Sequence, residues 1–312
     1  MADGAAARTD ALARRVRAGD QAALARALTR AENGDQALMQ ALRSAAGGAT
    51  VVGVTGAPGA GKSTLLNAMI RDWRRTGQRV ALLAVDPVSP LTGGAVLGDR
   101  TRMGEHSGDP GVFIRSLSAR GHLGGLSATT LDMVDVMDAA GWDLILLETV
   151  GAGQSETEIA GLADIKIVVC APGLGDEVQA IKAGILEIAD ILVVNKSDRP
   201  EADRTARDLA SMVELRRDDL ARKVPVLRSS ATSSEGVAEL RQEIDRLAAC
   251  PSIDRKHRRL LALRSMLADR LAARLQTSVM ENSQIEDVLE DLAAGRTDLD
   301  QALADTLAIL LA

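Results

Sequence analysis

The chain has 312 residues, enough for one α/β domain of roughly 200 residues with helical additions, and its 46% hydrophobic and 26% charged residues exclude a disordered polymer. Phe113, Trp73 and Trp142 are its only aromatic side chains, so the core must be aliphatic and few platforms exist on which bases could stack. That scarcity and a formal net charge of −6 both argue against a nucleic-acid binder, whose phosphate partner calls for a basic surface.

The first residues lack the apolar stretch of a secretory signal, and no segment approaches the ~20 apolar residues that span a bilayer. A cytoplasmic protein without membrane contact is expected. Residues 1–46 read as a helical extension, with Leu12 and Val16, Leu24 and Leu28, and Leu38 and Leu42 paired at i,i+4. Asp20 is placed to cap the second helix, and Asn33-Gly34 breaks the chain before the third. Gly47-Gly48 marks a joint.

Residues 47–250 then alternate short β-branched runs with helical stretches. The runs are Thr50 to Val54, Val80 to Val85, Val112 to Leu117, Leu144 to Val150, Ile165 to Ala171, Ile191 to Val194 and Val224 to Leu227. Most are continuously apolar, as strands buried on both faces of a parallel sheet should be. The expectation is a doubly wound, mostly parallel α/β sheet of about seven strands, with one antiparallel strand left open. Cys170 and Cys250 are too few for a disulfide framework or a Cys₄ metal site. Residues 251–312 carry leucine stripes at helical spacing: Leu260, Leu263, Leu267, Leu271 and Leu275, then Ile285, Val288, Leu289 and Leu292, then Leu299, Leu303 and Leu307. Such faces either pack back on the domain or pair with a second copy.

The first strand runs into Gly56-Ala57-Pro58-Gly59-Ala60-Gly61-Lys62-Ser63, followed by Thr64. This G-x-x-x-x-G-K-[ST] spacing is a phosphate loop: glycines let consecutive N–H groups turn inward, and the next helix adds its positive end. Lys62 supplies a charge for the β- and γ-phosphates, and the Ser63 hydroxyl is placed to ligate Mg²⁺. After the sixth run comes Asn195-Lys196-Ser197-Asp198. The Asp198 carboxylate can accept from guanine N1–H and the 2-amino group, whereas adenine would leave it unpaired. Asn195 would tie this loop to the phosphate loop, and the Lys196 stem would cover the base. Ser230-Ala231-Thr232 fits a small loop offering a backbone N–H to guanine O6. Together these motifs predict a GTP/GDP site.

Glu148 ends the apolar stretch Leu144 to Leu147 within the fourth run, Asp86 directly follows the second, and Asp99 lies in the Gly-rich loop beyond it. Carboxylates at strand ends beside a phosphate loop suit Mg²⁺ or its waters. Three Gly-bearing loops are candidate γ-phosphate sensors: 86–103, 151–156 and 172–177. Gln154 stands three residues after Gly151 as a possible water-positioning side chain, and Arg102 and Arg115 are candidate arginine fingers.

Several of these stretches are more particular than a generic GTPase requires. They are Val85-Asp86-Pro87-Val88-Ser89-Pro90-Leu91-Thr92-Gly93-Gly94, Leu97-Gly98-Asp99-Arg100-Thr101-Arg102-Met103, Arg120-Gly121-His122-Leu123-Gly124-Gly125, Glu148-Thr149-Val150-Gly151-Ala152-Gly153-Gln154-Ser155-Glu156 and Gly175-Asp176-Glu177-Val178-Gln179-Ala180-Ile181-Lys182. Over almost its whole length the chain resembles the MeaB/ArgK-type GTPases, chaperones of methylmalonyl-CoA mutase. The resemblance implies a GTP hydrolase whose Ser63, Asp86, Asp99 and Glu148 surround Mg²⁺. It also implies a switch around Asp176, Gln179 and Lys182 that couples hydrolysis to an adenosylcobalamin-dependent acyl-CoA mutase, and a C-terminal homodimerisation arm. Val88, Leu91, Val178 and Ala180 depart from the family's commoner Ser, Phe, Leu and Gly, which bears on the identity of the mutase. A metal-inserting metallochaperone would want a His-rich tail or close Cys pairs, and a P-loop kinase would want an acceptor pocket and a catalytic base.

Overall fold

Continuous apolar runs made the strands legible, and each forms in a computed structural model that describes residues 2–43, 48–86, 104–106, 108–118, 125–149, 162–173, 189–215, 224–249, 260, 263–264, 267–268, 271–272, 275–280 and 282–311. The strands are β1 (Thr50–Gly56), β2 (Val80–Asp86), β3 (Val112–Ser118), β4 (Leu144–Thr149), β5 (Ile165–Cys170), β6 (Ile191–Val194) and β7 (Val226–Arg228). They build one seven-stranded sheet in the order β3-β2-β4-β1-β5-β6-β7. All the pairings are parallel, which settles the strand direction left open by the sequence. β4 and β6 are buried along their whole length, as expected of strands covered on both faces.

Helices cover the two faces unequally. α4 (Lys62–Arg75) and α7 (Val237–Ala249) lie on one side, where Leu65, Met69, Trp73 and Leu240 close over Val52, Leu82 and Ile167. The other side carries α5 (Gly125–Ala139) and α6 (Ala202–Leu215), and the N-terminal helices α1 (Ala2–Arg17), α2 (Gln21–Glu32) and α3 (Gln36–Arg43) pack outside α5. Leu24, Leu28, Leu38, Met39 and Leu42 are buried in one cluster with Met133, Val136 and Met137 of α5, each favourable by about 2 kcal/mol. Asp20 caps α2 by accepting from the Ala23 N–H at 3.0 Å. Asp138 Oδ1 of α5 accepts from the Gly48 and Ala49 amides at 2.9 and 2.8 Å, which fixes where the extension hands the chain to β1.

At the C-terminal end α8 (Ser283–Ala293), capped by Asn282, pairs with α9 (Leu299–Leu311), burying Ile285 and Ala302 between them. The leucine stripes otherwise face solvent in the single chain, with Leu267 61% and Leu299 71% exposed. No described helix is long and apolar enough to cross a membrane.

Candidate nucleotide-binding site

β1 is the middle strand of the sheet, and it delivers the chain into the glycine loop at the C-terminal edge. Gly56 has φ +140°, and a Cβ there would lie 2.1 Å from the Val169 carbonyl oxygen of β5, so only glycine can leave the strand at this point. Gly61 is left-handed at φ +88° and forms the N-cap of α4 without a side-chain cap. The first-turn amides of α4 therefore point into the loop, where an anion would complete them.

Lys62 is buried, with its Nζ donating to the carbonyls of Gly56 at 2.6 Å and Ala57 at 3.1 Å. The loop thus wraps around a fixed positive charge. Ser63 Oγ donates to Glu148 Oε1 at 2.6 Å. Glu148 is wholly buried at the end of β4, in register with Val54 of β1 and Ala84 of β2. Burying a carboxylate there is unfavourable unless charged or polar partners meet it. A hydroxyl and a carboxylate oxygen side by side at a phosphate loop form the hard-oxygen donor set that suits Mg²⁺. Thr64 is exposed on the first turn of α4, and Asp86 ends β2, the strand beside β4.

The candidate base-recognition side is built on β6 and β7. Asn195 is buried where β6 ends, and its amide donates to Ala60 O at 2.9 Å and Gly61 O at 3.3 Å. Its Oδ1 accepts from the Ala231 N–H at 3.2 Å and from Ser229 Oγ at 3.4 Å. One side chain therefore clamps the phosphate loop to the loop after β7. The space for it depends on Gly61, whose Cβ would come within 2.5 Å of Asn195 Nδ2. Lys196 adopts φ +57° and lays its stem across the loop, with Nζ donating to Gly59 O at 2.6 Å. Asp198 is exposed, and its Oδ1 accepts from Ser230 Oγ at 2.9 Å. Thr232 Oγ1 lies 3.2 Å from the same hydroxyl.

The structure thus brings together Gly56 to Thr64, Glu148, Asn195, Lys196, Asp198 and Ser230 to Thr232. Asp99, Gln154, Asp176, Gln179 and Lys182 lie outside the described residues, as do Arg102 and the side chain of Asp86. Arg115 does not serve as an arginine finger here: its guanidinium bonds Glu32 of α2 at 2.9 Å, on the sheet face opposite α4. Sequence reasoning missed Ser229, which braces Asn195 through its hydroxyl and accepts from the Ser197 N–H through its carbonyl at 2.9 Å. Its one signal was its position directly before Ser230. Gly236 was missed too; at φ +73°, a Cβ there would strike the Arg228 carbonyl at 2.0 Å, so the loop after β7 needs glycine to close.

Residues 24–280 match the family described as Methylmalonyl Co-A mutase-associated GTPase MeaB. A putative GTPase of Pyrococcus horikoshii is 44% identical over 276 residues, covering 86% of this chain and 84% of its own length. A probable GTPase of Mycobacterium tuberculosis is 44% identical over 249 residues, covering 76% of this chain and 74% of its own. A crystal structure described as an LAO/AO transport system kinase is similar at a TM-score of 0.76, with 26% identity and 98% of both chains covered.

Proposed function

The chain belongs to the methylmalonyl Co-A mutase-associated GTPase family MeaB, and from that premise we propose that its GTP hydrolysis gates cofactor loading onto an adenosylcobalamin-dependent acyl-CoA mutase and protects that enzyme. The observation that carries the reading is the Asn195 clamp, which makes the phosphate cradle and the guanine-reading loops one unit. Asp198 would accept from the guanine N1–H and 2-amino group, a contact that adenine cannot supply.

Lys62 and the first-turn amides of α4 would hold the β- and γ-phosphates. Mg²⁺ would be held by Ser63 and Glu148, joined by Asp86 and Asp99 directly or through water, and when bound supplies charge neutralisation at the phosphates. Hydrolysis forms a bond from a water oxygen to the γ-phosphorus as the bond to the β–γ bridging oxygen breaks. Gln154 is our candidate for orienting that water. The loop carrying Asp176, Gln179 and Lys182 is the segment through which we expect the mutase to complete the site.

The exposed leucine stripes of 251–312 support a homodimerisation arm, since single chains rarely leave such faces uncovered. The test of the coupling is single-turnover GTP hydrolysis with and without methylmalonyl-CoA mutase, in wild type and Lys182→Ala. We expect the mutase to accelerate the wild type and to accelerate the variant far less. Equal acceleration of both removes Lys182 from the mechanism, and no acceleration of either removes the mutase.

A further inference from the structure

On the sheet face opposite α4, residues of α1, α2 and β3 line an open cleft of about 710 Å³. Its walls present five guanidiniums, Arg8 and Arg15 from α1, Arg26 and Arg30 from α2, and Arg115 from β3, over a floor of Leu12 and two alanines. No carboxylate among the described residues lines it.

Three of the five guanidiniums are held from outside the cleft. Arg15 bonds Asp20 Oδ2 at 2.6 Å, Arg30 bonds Asp35 Oδ2 at 2.6 Å and Thr9 Oγ1 at 2.9 Å, and Arg115 bonds Glu32 Oε2 at 2.9 Å. These pairs neutralise three of the five charges with carboxylates that do not line the opening. Arg8 and Arg26, on opposite walls, have no ion pair or hydrogen bond among the described residues. Guanidinium forks match phosphoryl oxygens two at a time, and the two unpaired guanidiniums keep their donors for a ligand. Its volume falls within the roughly 300–1,000 Å³ range of small-molecule sites, although it is shallow and open, and its lining is mostly apolar.

We propose that the α1–α2 cleft is a second ligand site, taking a phosphoryl-bearing small molecule whose anionic end lies between Arg8 and Arg26 and whose apolar part rests on Leu12. The proposal is independent of the mutase reading, because nothing in it involves the nucleotide loops.

The test uses the full chain saturated with GDP and Mg²⁺, so that the phosphate loop is filled, titrated with inorganic pyrophosphate by calorimetry. One saturable site per chain is expected, and Arg8→Ala/Arg26→Ala should weaken it about tenfold or more. Neither arginine has a partner to lose, so melting temperature and GDP affinity should be unchanged in the variant. No saturable binding below about 10 mM, or equal binding by wild type and variant, overturns the site. A third arm replaces pyrophosphate with a glutamate-rich, leucine-bearing peptide. If the peptide binds through Arg8 and Arg26 and pyrophosphate does not, the cleft is a protein-docking surface and the small-molecule assignment is wrong.

Discussion

Ser63 Oγ and Glu148 Oε1 lie 2.6 Å apart, one opening α4 and the other closing β4, so two elements far apart in sequence meet at a single hydrogen bond beside the phosphate loop. The contact explains why a buried acid follows the aliphatic residues of β4 after Leu147. It also makes a prediction. Glu148→Gln keeps the shape and can still accept from Ser63, but it removes the charge a divalent cation needs. GTP turnover at saturating Mg²⁺ should fall about 100-fold while the melting temperature holds or rises, since a buried charge has been removed. Turnover within a factor of about two of wild type would take Glu148 out of the metal site.

Asn195 is the next test, because its contacts join the phosphate loop to the loop after β7 and the proposed site needs both. Asn195→Ala abolishes its bonds to Ala60 and Gly61 and leaves the buried Ala231 N–H without its acceptor. The expected loss is about 2 kcal/mol in urea unfolding, accompanied by weaker GDP binding in calorimetry. A variant that lost stability but bound GDP as tightly as wild type would show that the clamp does not shape the nucleotide site.

The two motifs that predict this site are local and rigidly spaced, which is why they were legible. The glycine loop needs no partner in order to be recognised, and Asn195 to Asp198 follow directly on an apolar strand. Strand ends were less legible: β7 starts at Val226 rather than Val224 because Pro225 has no N–H for the ladder, although its carbonyl still accepts from Leu192 at 3.0 Å. Strand direction was also beyond reach, since alternation with helices allows one reversed strand. The partner of the N-terminal helices was hidden for a different reason. Their stripes announce burial, but the surface that meets them is the outer face of α5, roughly a hundred residues away. The arginine cleft draws on α1, α2 and β3, so no linear pattern could have revealed it.

The Ser230 hydroxyl, 2.9 Å from Asp198 Oδ1, orients the carboxylate that we propose reads the base. Asp198→Asn exchanges an acceptor for a donor. GTP affinity should drop about 100-fold or more and xanthosine triphosphate should become the preferred ligand, because an amide N–H can meet its 2-carbonyl. Competition binding with both nucleotides reads this directly, and a variant that still prefers GTP would mean that another group reads the base.

His106 provides a pH signature distinct from that of the nucleotide site. It is buried beside Glu105, Arg71 and Asp109, and burial pushes its pKa below the ordinary 6.5; the nearby Glu105 carboxylate opposes that shift without reversing it. The folded state therefore holds His106 neutral while the unfolded chain takes up a proton. The stability this confers is fully present above pH 6.5 and is lost as pH falls toward the depressed folded value. Asp109 acts in a separate window: the Arg74 hydrogen bond, aided by the Gly111 N–H, holds its pKa below 3.8, so its contribution survives until stronger acid. Urea unfolding between about pH 7 and pH 5 should show wild type losing stability more steeply than His106→Gln, which has no proton to take up. Parallel slopes for the two proteins across that interval would mean that His106 takes up its proton equally in the folded and unfolded states, the effect of burial being cancelled by Glu105.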